Sequence, residues 1–165
     1  MKTFDAISKR TSIREYLSKP IDKALLEKLV DAGRRAPTAR KVEPWEFIVA
    51  TNKDCLQKLG ELVSPNGTFI KDAASCIAIF CRDTKYYLED GCAAAENILL
   101  MAADLGLGTC WIAGDKKPYT TLVSELFTVP ENFKLVSLIS IGWPKQESTQ
   151  SRNRSLKEVL HWERF

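Results

Sequence analysis

At 165 residues, 45% of them apolar and 27% charged, the chain has the size and composition of one folded globular unit, which excludes disordered, collagenous and coiled-coil classes. Twenty-four Lys and Arg against 21 Asp and Glu leave only +3, which argues against a dedicated nucleic-acid binder and requires any anion site to be local. No apolar run reaches membrane-spanning length, and the opening MKTFDAISKR carries charge where a signal peptide needs an apolar stretch, so a cytoplasmic protein with no membrane partner is expected.

Residues 3–9 predict a short helix, and a longer one starts at Asp22, a suitable N-cap, with Leu25, Leu26, Leu29 and Val30 on one stripe. Pro37 marks its end. Between the two, RTSIREYLSKPI fits neither helical nor strand periodicity and is rich in hydrogen-bond donors, as a binding loop is. PTARKVEP turns the chain into WEFIVAT, a compact aromatic and β-branched strand, and Leu56, Leu59, Leu62 and Val63 space a helix over 54–63. After the turn SPNG, residues 75–81, SCIAIFC, are apolar on both faces and predict a central strand.

A helical pattern runs from Asp83 to Asp104, with Gly106 as its stop. Its middle, CAAAENILLMAA, is apolar nearly all round and needs burial on several sides, by its own core or by a second subunit. GTCWIAG predicts a short strand ending at Gly114, and KLVSLISIGWP, residues 134–144, is the clearest strand. The tail is polar until SLKEVLHW. Helices and strands do not alternate regularly and no G-x-G-x-x-G follows a strand, so a Rossmann fold is not supported. The pattern predicts a single domain over 1–165, a three-layer α+β sandwich whose mainly antiparallel central sheet is flanked by helices.

Cys55, Cys76, Cys81, Cys92 and Cys110 are odd in number and contain no C-x-x-C pair, so free buried thiols are expected rather than disulfides or a metal cluster. His161 is the sole histidine, which leaves little for a hydrolytic triad or a metal site. Arg10 and Arg14 flank Thr11 and Ser12, so a few residues supply two guanidinium forks and two hydroxyls, the donor set of a phosphate site. The same local sequence also describes a solvated basic turn beside Glu15. Trp111 and Trp143 are assigned to the core.

In chain order, RTSIREY, PTARKVEPWEFIVA, AAAENILLMAADLGLGTCWIAG, SIGWP and RNRSLKEVLHWE resemble the nitroreductase family of FMN enzymes over nearly the whole length. The resemblance implies an intertwined homodimer with FMN at the subunit interface. It also implies that Arg10, Thr11, Ser12 and Arg14 grip the phosphate, ribityl chain and pyrimidine edge, and that Arg152 and Arg154 complete the phosphate site. Within that set Arg14 is assigned to the flavin ring, and Arg10 and Ser12 chiefly to the phosphate.

Pro37, Thr38 and Ala39 match a turn that reaches the flavin from the partner subunit, while Ala113 and Gly114 match the backbone facing flavin N5 and O4. Lys41 and Glu43 replace the family's usual Asn and Gln, exchanging groups that both donate and accept for groups that do one. Arg40 or Lys41 is then available to phosphate instead. The implied reaction takes hydride from NAD(P)H at flavin N5 and passes electrons to an electron-poor nitroaromatic or quinone by a ping-pong scheme, with no catalytic side chain and no metal. The alternatives are a non-catalytic FMN-storing protein and a same-fold flavoenzyme that dehalogenates, desaturates or breaks up flavins.

Overall fold

The computed structural model describes residues 2–146 and 153–165. Helix α1 spans Thr3–Lys9 and α2 spans Lys23–Gly33. Asp22 does stand at the N-cap of α2, although its side chain makes no cap hydrogen bond. Leu26 and Leu29 are the buried part of the expected stripe, and Leu25 and Val30 are half-buried beside them. The helix stops at Gly33, before Pro37. Strand β1, Trp45–Ala50, leads into α3, Lys53–Leu62, which Asn52 caps by accepting from the Cys55 N–H at 3.1 Å.

Strand β2, Ser75–Arg82, precedes α4, Tyr87–Asp104. The helix begins four residues later than its composition predicts, because the Asp83 N–H is held by the Asn132 carbonyl at 2.8 Å, which ties Asp83 to the loop before the last strand. It ends as expected: Gly106 takes φ +74° and the Leu107 N–H returns to the Ala102 carbonyl at 2.8 Å. Strand β3 is Gly108–Ala113, α5 is Thr120–Leu126 and β4 is Phe133–Gly142.

The strands form one antiparallel sheet in the order β1-β2-β4-β3. Side chains alternate across it, and each face has its own core. Ile77, Ile79, Ile139 and Ile141 meet Leu26 and Leu29 of α2 and Ala94, Ile98 and Ala102 of α4 on one side. Ala78, Phe80, Leu135 and Leu138 meet Leu56 and Leu59 of α3 and Val123 of α5 on the other. This is the α+β sandwich of three layers. Helix α4 packs against α1 and α2, and Asn97 Nδ2 donates to the Ala32 carbonyl of α2 at 3.0 Å.

A bulge sets the end of β3. The register of β2 against β4 shifts between Ile79 and Phe80, where Ser137 and Leu135 are the successive partners and Val136 is skipped. The freed Val136 carbonyl accepts from both the Gly114 N–H, at 3.0 Å, and the Asp115 N–H, at 3.3 Å. A Cβ at Gly114 would lie 2.8 Å from the Val136 carbonyl carbon, so the close approach requires glycine. Ser137 Oγ is fully buried at the same bulge and is without a hydrogen-bond partner among the described residues.

Candidate functional site

Residues 10–16 leave α1 as an extended strap along β3 and the end of β4. Ser12 forms a parallel bridge with Thr109, the Ile13 N–H donates to the Thr109 carbonyl at 2.8 Å, and Tyr16 bridges Pro144. Extended backbone sends alternate side chains to opposite sides. Ser12 and Arg14 share one side: the Ser12 hydroxyl lies beside the Cys110 thiol, and the Arg14 guanidinium stands 5.7 Å above the Phe69 ring. Burial raises the pKa of that thiol, against the opposing pull of Arg14 and Ser12.

Thr11 and Ile13 face the other side, where with Arg10 they line a cleft of about 420 Å³ against Gly108 and the end of α4. Arg10 packs inward, 18% exposed, with Nε 3.9 Å from a Glu96 carboxylate oxygen. Ser12 and Arg14 are an exposed donor pair, whereas Arg10 and Thr11 belong to the neighbouring cleft.

The turn after α2 is anchored by a residue with no obvious signal in the sequence. Asp90, 5% exposed in the first turn of α4, accepts from the Thr38 hydroxyl at 2.8 Å and from the Ala39 N–H at 3.0 Å. Thr38 Oγ1 in turn accepts from the Glu43 N–H at 3.1 Å. The Thr38 hydroxyl proton is thus committed to Asp90. Pro37 is exposed and Ala39 half-buried. Arg40, Lys41 and Glu43 have φ of 57°, 56° and 46°, the left-handed region that costs a non-glycine residue about 1 kcal/mol or more each. Their side chains point to solvent as an exposed group.

At the end of β3, Ala113 is exposed and Gly114 buried. The Gly114 N–H donates to the Val136 carbonyl, and the residue's φ is not in the left-handed region. What the position contributes is absence of side-chain bulk. The Ala113 carbonyl accepts from Tyr119 Oη, and Asp115 Oδ1 accepts from Tyr87 Oη at 2.6 Å. Tyr87 and Asp90 lie one helical turn apart, so the first turn of α4 holds both the β3 end and the 38–39 turn.

The hydrogen bond to Asp115, aided by burial, pushes the Tyr87 phenol up to about 12 from an ordinary value of 10.0. A raised folded-state pKa gives stability that is complete below pH 10 and lost as pH rises toward 12. Tyr87→Phe is therefore expected to flatten the alkaline limb of the Tm-against-pH curve. An unchanged limb would show that Tyr87 titrates normally.

Arg152 lies outside the described residues. Arg154 is exposed and bonds the Glu158 carbonyl, next to a capping box of Ser155 and Glu158. All five cysteines are free: Cys76, Cys81 and Cys110 are buried, Cys55 and Cys92 half-buried. Trp111 packs against the core, and Trp143 Nε1 donates to the Pro20 carbonyl at 3.0 Å. Among the described residues no helix is long and apolar enough to cross a membrane.

Residues 7–80 and 69–143 match the model of the nitroreductase family. The chain belongs to the nitroreductase family. A protein of Methanothermobacter thermautotrophicus, provisionally named NADH dehydrogenase/NAD(P)H nitroreductase, is 32% identical over 171 residues, 100% of this chain and 88% of the relative. An FMN-dependent nitroreductase of Clostridium difficile superposes with a TM-score of 0.92 at 30% identity, covering 98% of this chain and 99% of that one. The NADPH-flavin oxidoreductase of Vibrio harveyi is 23% identical, with 96% of this chain and 72% of the relative matched.

Proposed function

We propose that this chain is an FMN-dependent oxidoreductase, one cofactor-binding unit over 1–165, that draws reducing equivalents from NAD(P)H and delivers them to an electron-poor acceptor of nitroaromatic or quinone type. The observation that carries the reading is the strap over 10–16, pinned to β3 with Ser12 and Arg14 on one exposed side. On a fixed backbone the hydroxyl is a donor that suits the phosphate of a flavin nucleotide, and the guanidinium fork one that suits the pyrimidine edge of its ring. Ala113 ends the same strand and Gly114 follows it, and their small size suits a flat ring at short range. FMN bound there supplies hydride acceptance at N5 and its onward transfer.

The chain's own residues bind and orient. Ser12, with Arg10, holds the phosphate, Arg14 supported by Phe69 serves the flavin ring, and Asp90 keeps the 38–43 turn in shape. A homodimer is supported by the apolar side chains one copy leaves in solvent: Phe4 and Ile7 of α1, and Leu156, Val159, Leu160, Trp162 and Phe165 of the tail. The absorbance spectrum of purified protein tests the proposal. Flavin bands are expected that bleach anaerobically with NADH or NADPH and return on adding a nitroaromatic. A colourless protein that does not take up added FMN overturns it. Flavin bands without NAD(P)H oxidation favour a storage protein.

A further inference from the structure

The exposed Arg14 of the strap is supported by a ring rather than by a carboxylate. Its guanidinium stands 5.7 Å from the Phe69 centroid, and among the described residues no Asp or Glu pairs with it. Arg34 and Arg35, also exposed, are held by Asp31, whose carboxylate offsets their charge as it holds them. An aromatic face attracts a guanidinium through its quadrupole and has no net charge. The positive charge of Arg14 therefore stays whole while its position is restrained.

The ring itself is firmly seated. Phe69 lies in the short 3-10 turn Thr68–Asp72 and is half-buried against the core on the α3 and α5 side of the sheet. Just before it, the Gly67 N–H donates to the Val63 carbonyl at 3.1 Å, and the Gly67 carbonyl accepts from the N–H of the fully buried Ile70 at 3.0 Å. Gly67 also lies against β3, where a Cβ on it would come 3.4 Å from Ile112, the residue before Ala113. The segment 67–69 thus touches the strap at Arg14 and β3 next to Ala113, the two places the FMN reading gives to the flavin ring.

We propose that Phe69 is a positioning residue that sets the reduction potential of the bound flavin, by fixing the Arg14 guanidinium at the pyrimidine edge without neutralising it. The proposal rests on the FMN reading above, with Arg14 at the ring, and assigns the origin of its electrostatic bias. Hydride from NAD(P)H brings two electrons and one proton to N5, which leaves the ring one negative charge, shared over that edge. A fixed cation there favours reduced over oxidised flavin. An arginine without support gives up rotamer freedom to make the same contact, and part of the bias is lost. A residue that merely stabilises the fold has no means of favouring one redox state of the ligand through Arg14.

Anaerobic titration against a reference dye measures the two-electron potential of bound FMN in wild type, Phe69→Leu, Arg14→Ala and the double variant. Phe69→Leu is expected to reduce the preference for reduced flavin about two- to fivefold, the scale of an exposed cation–π contact, which moves the potential about 10–20 mV more negative. Arg14→Ala should move it further in the same direction, and adding Phe69→Leu to Arg14→Ala should then change nothing. Pentafluorophenylalanine in place of Phe69 keeps the ring's shape, reverses its charge distribution and should lower the potential at least as far. It carries the test where Phe69→Leu does not fold. A wild-type potential with either replacement of Phe69, or the same shift with and without Arg14, overturns the proposal while leaving the FMN reading intact. A wild type that takes up no FMN overturns that reading and the assigned role of Phe69 with it.

Discussion

Asp90→Ala is expected to lower the unfolding free energy by about 2–4 kcal/mol, a fall in Tm of roughly 5–15 °C for a chain of this size. The side chain is 5% exposed and both of its oxygens are used, by the Thr38 hydroxyl at 2.8 Å and the Ala39 N–H at 3.0 Å. Truncation strands both donors beneath α4. It also releases the restraint on Arg40, Lys41 and Glu43, whose left-handed backbone persists only while its surroundings hold it. Arg40 and Lys41 are trypsin sites, so native-state nicking there should accelerate by a larger factor than at the exposed Arg34 and Arg35. Asp90→Asn, which keeps an acceptor for Ala39 but has no second one for Thr38, should fall between. A variant as stable as wild type, with unchanged nicking, would remove Asp90 from the turn's support.

Arg14→Ala should weaken FMN by about 1.5–3 kcal/mol, roughly tenfold to a hundredfold in Kd, the range of a hydrogen bond to a charged group. The guanidinium is exposed and rests on Phe69 at 5.7 Å, so the fold depends on it little and Tm should move by less than about 2 °C. Arg14→Lys keeps the charge and loses the planar fork, and should recover part of the affinity. Fluorescence titration at two salt concentrations checks the electrostatic share, since the wild-type advantage over Arg14→Ala should shrink as salt rises. Equal affinities at low salt would place the flavin elsewhere.

The strands and the helices around them were legible because their burial is simple. SCIAIFC is apolar on both faces and lies in the middle of the sheet, and Gly106 ends α4 with the left-handed geometry that glycine permits. Helix α5 gave little signal: Thr120–Leu126 is seven residues long and buries Val123 alone. The start of α4 was misplaced because the constraint on Asp83 comes from Asn132, far along the chain.

The site divides the same way. Its polar residues could be found as a run, but which side of the strap each takes follows from the bridge between Ser12 and Thr109. Asp90 and Phe69 were missed because their partners, Thr38 and Arg14, are 52 and 55 residues away. Gly114 was picked out by the family match alone. Its requirement is the 2.8 Å approach of Val136, which a bulge in β4 creates and local sequence does not announce.

The strap over residues 10–16 has a second consequence, for colloidal behaviour. Strand β3 is terminal in its sheet, and its outer backbone is partly covered by the bridge from Ser12 and the Ile13 N–H. Uncovered strand margins are templates for pairing between molecules. Any substitution that lifts the strap therefore bares Thr109, Cys110 and Trp111 to other chains, and damage to the ligand site should emerge as aggregation as well as weakened affinity. Selection for soluble expression would then act on this strap before any assay of activity was run.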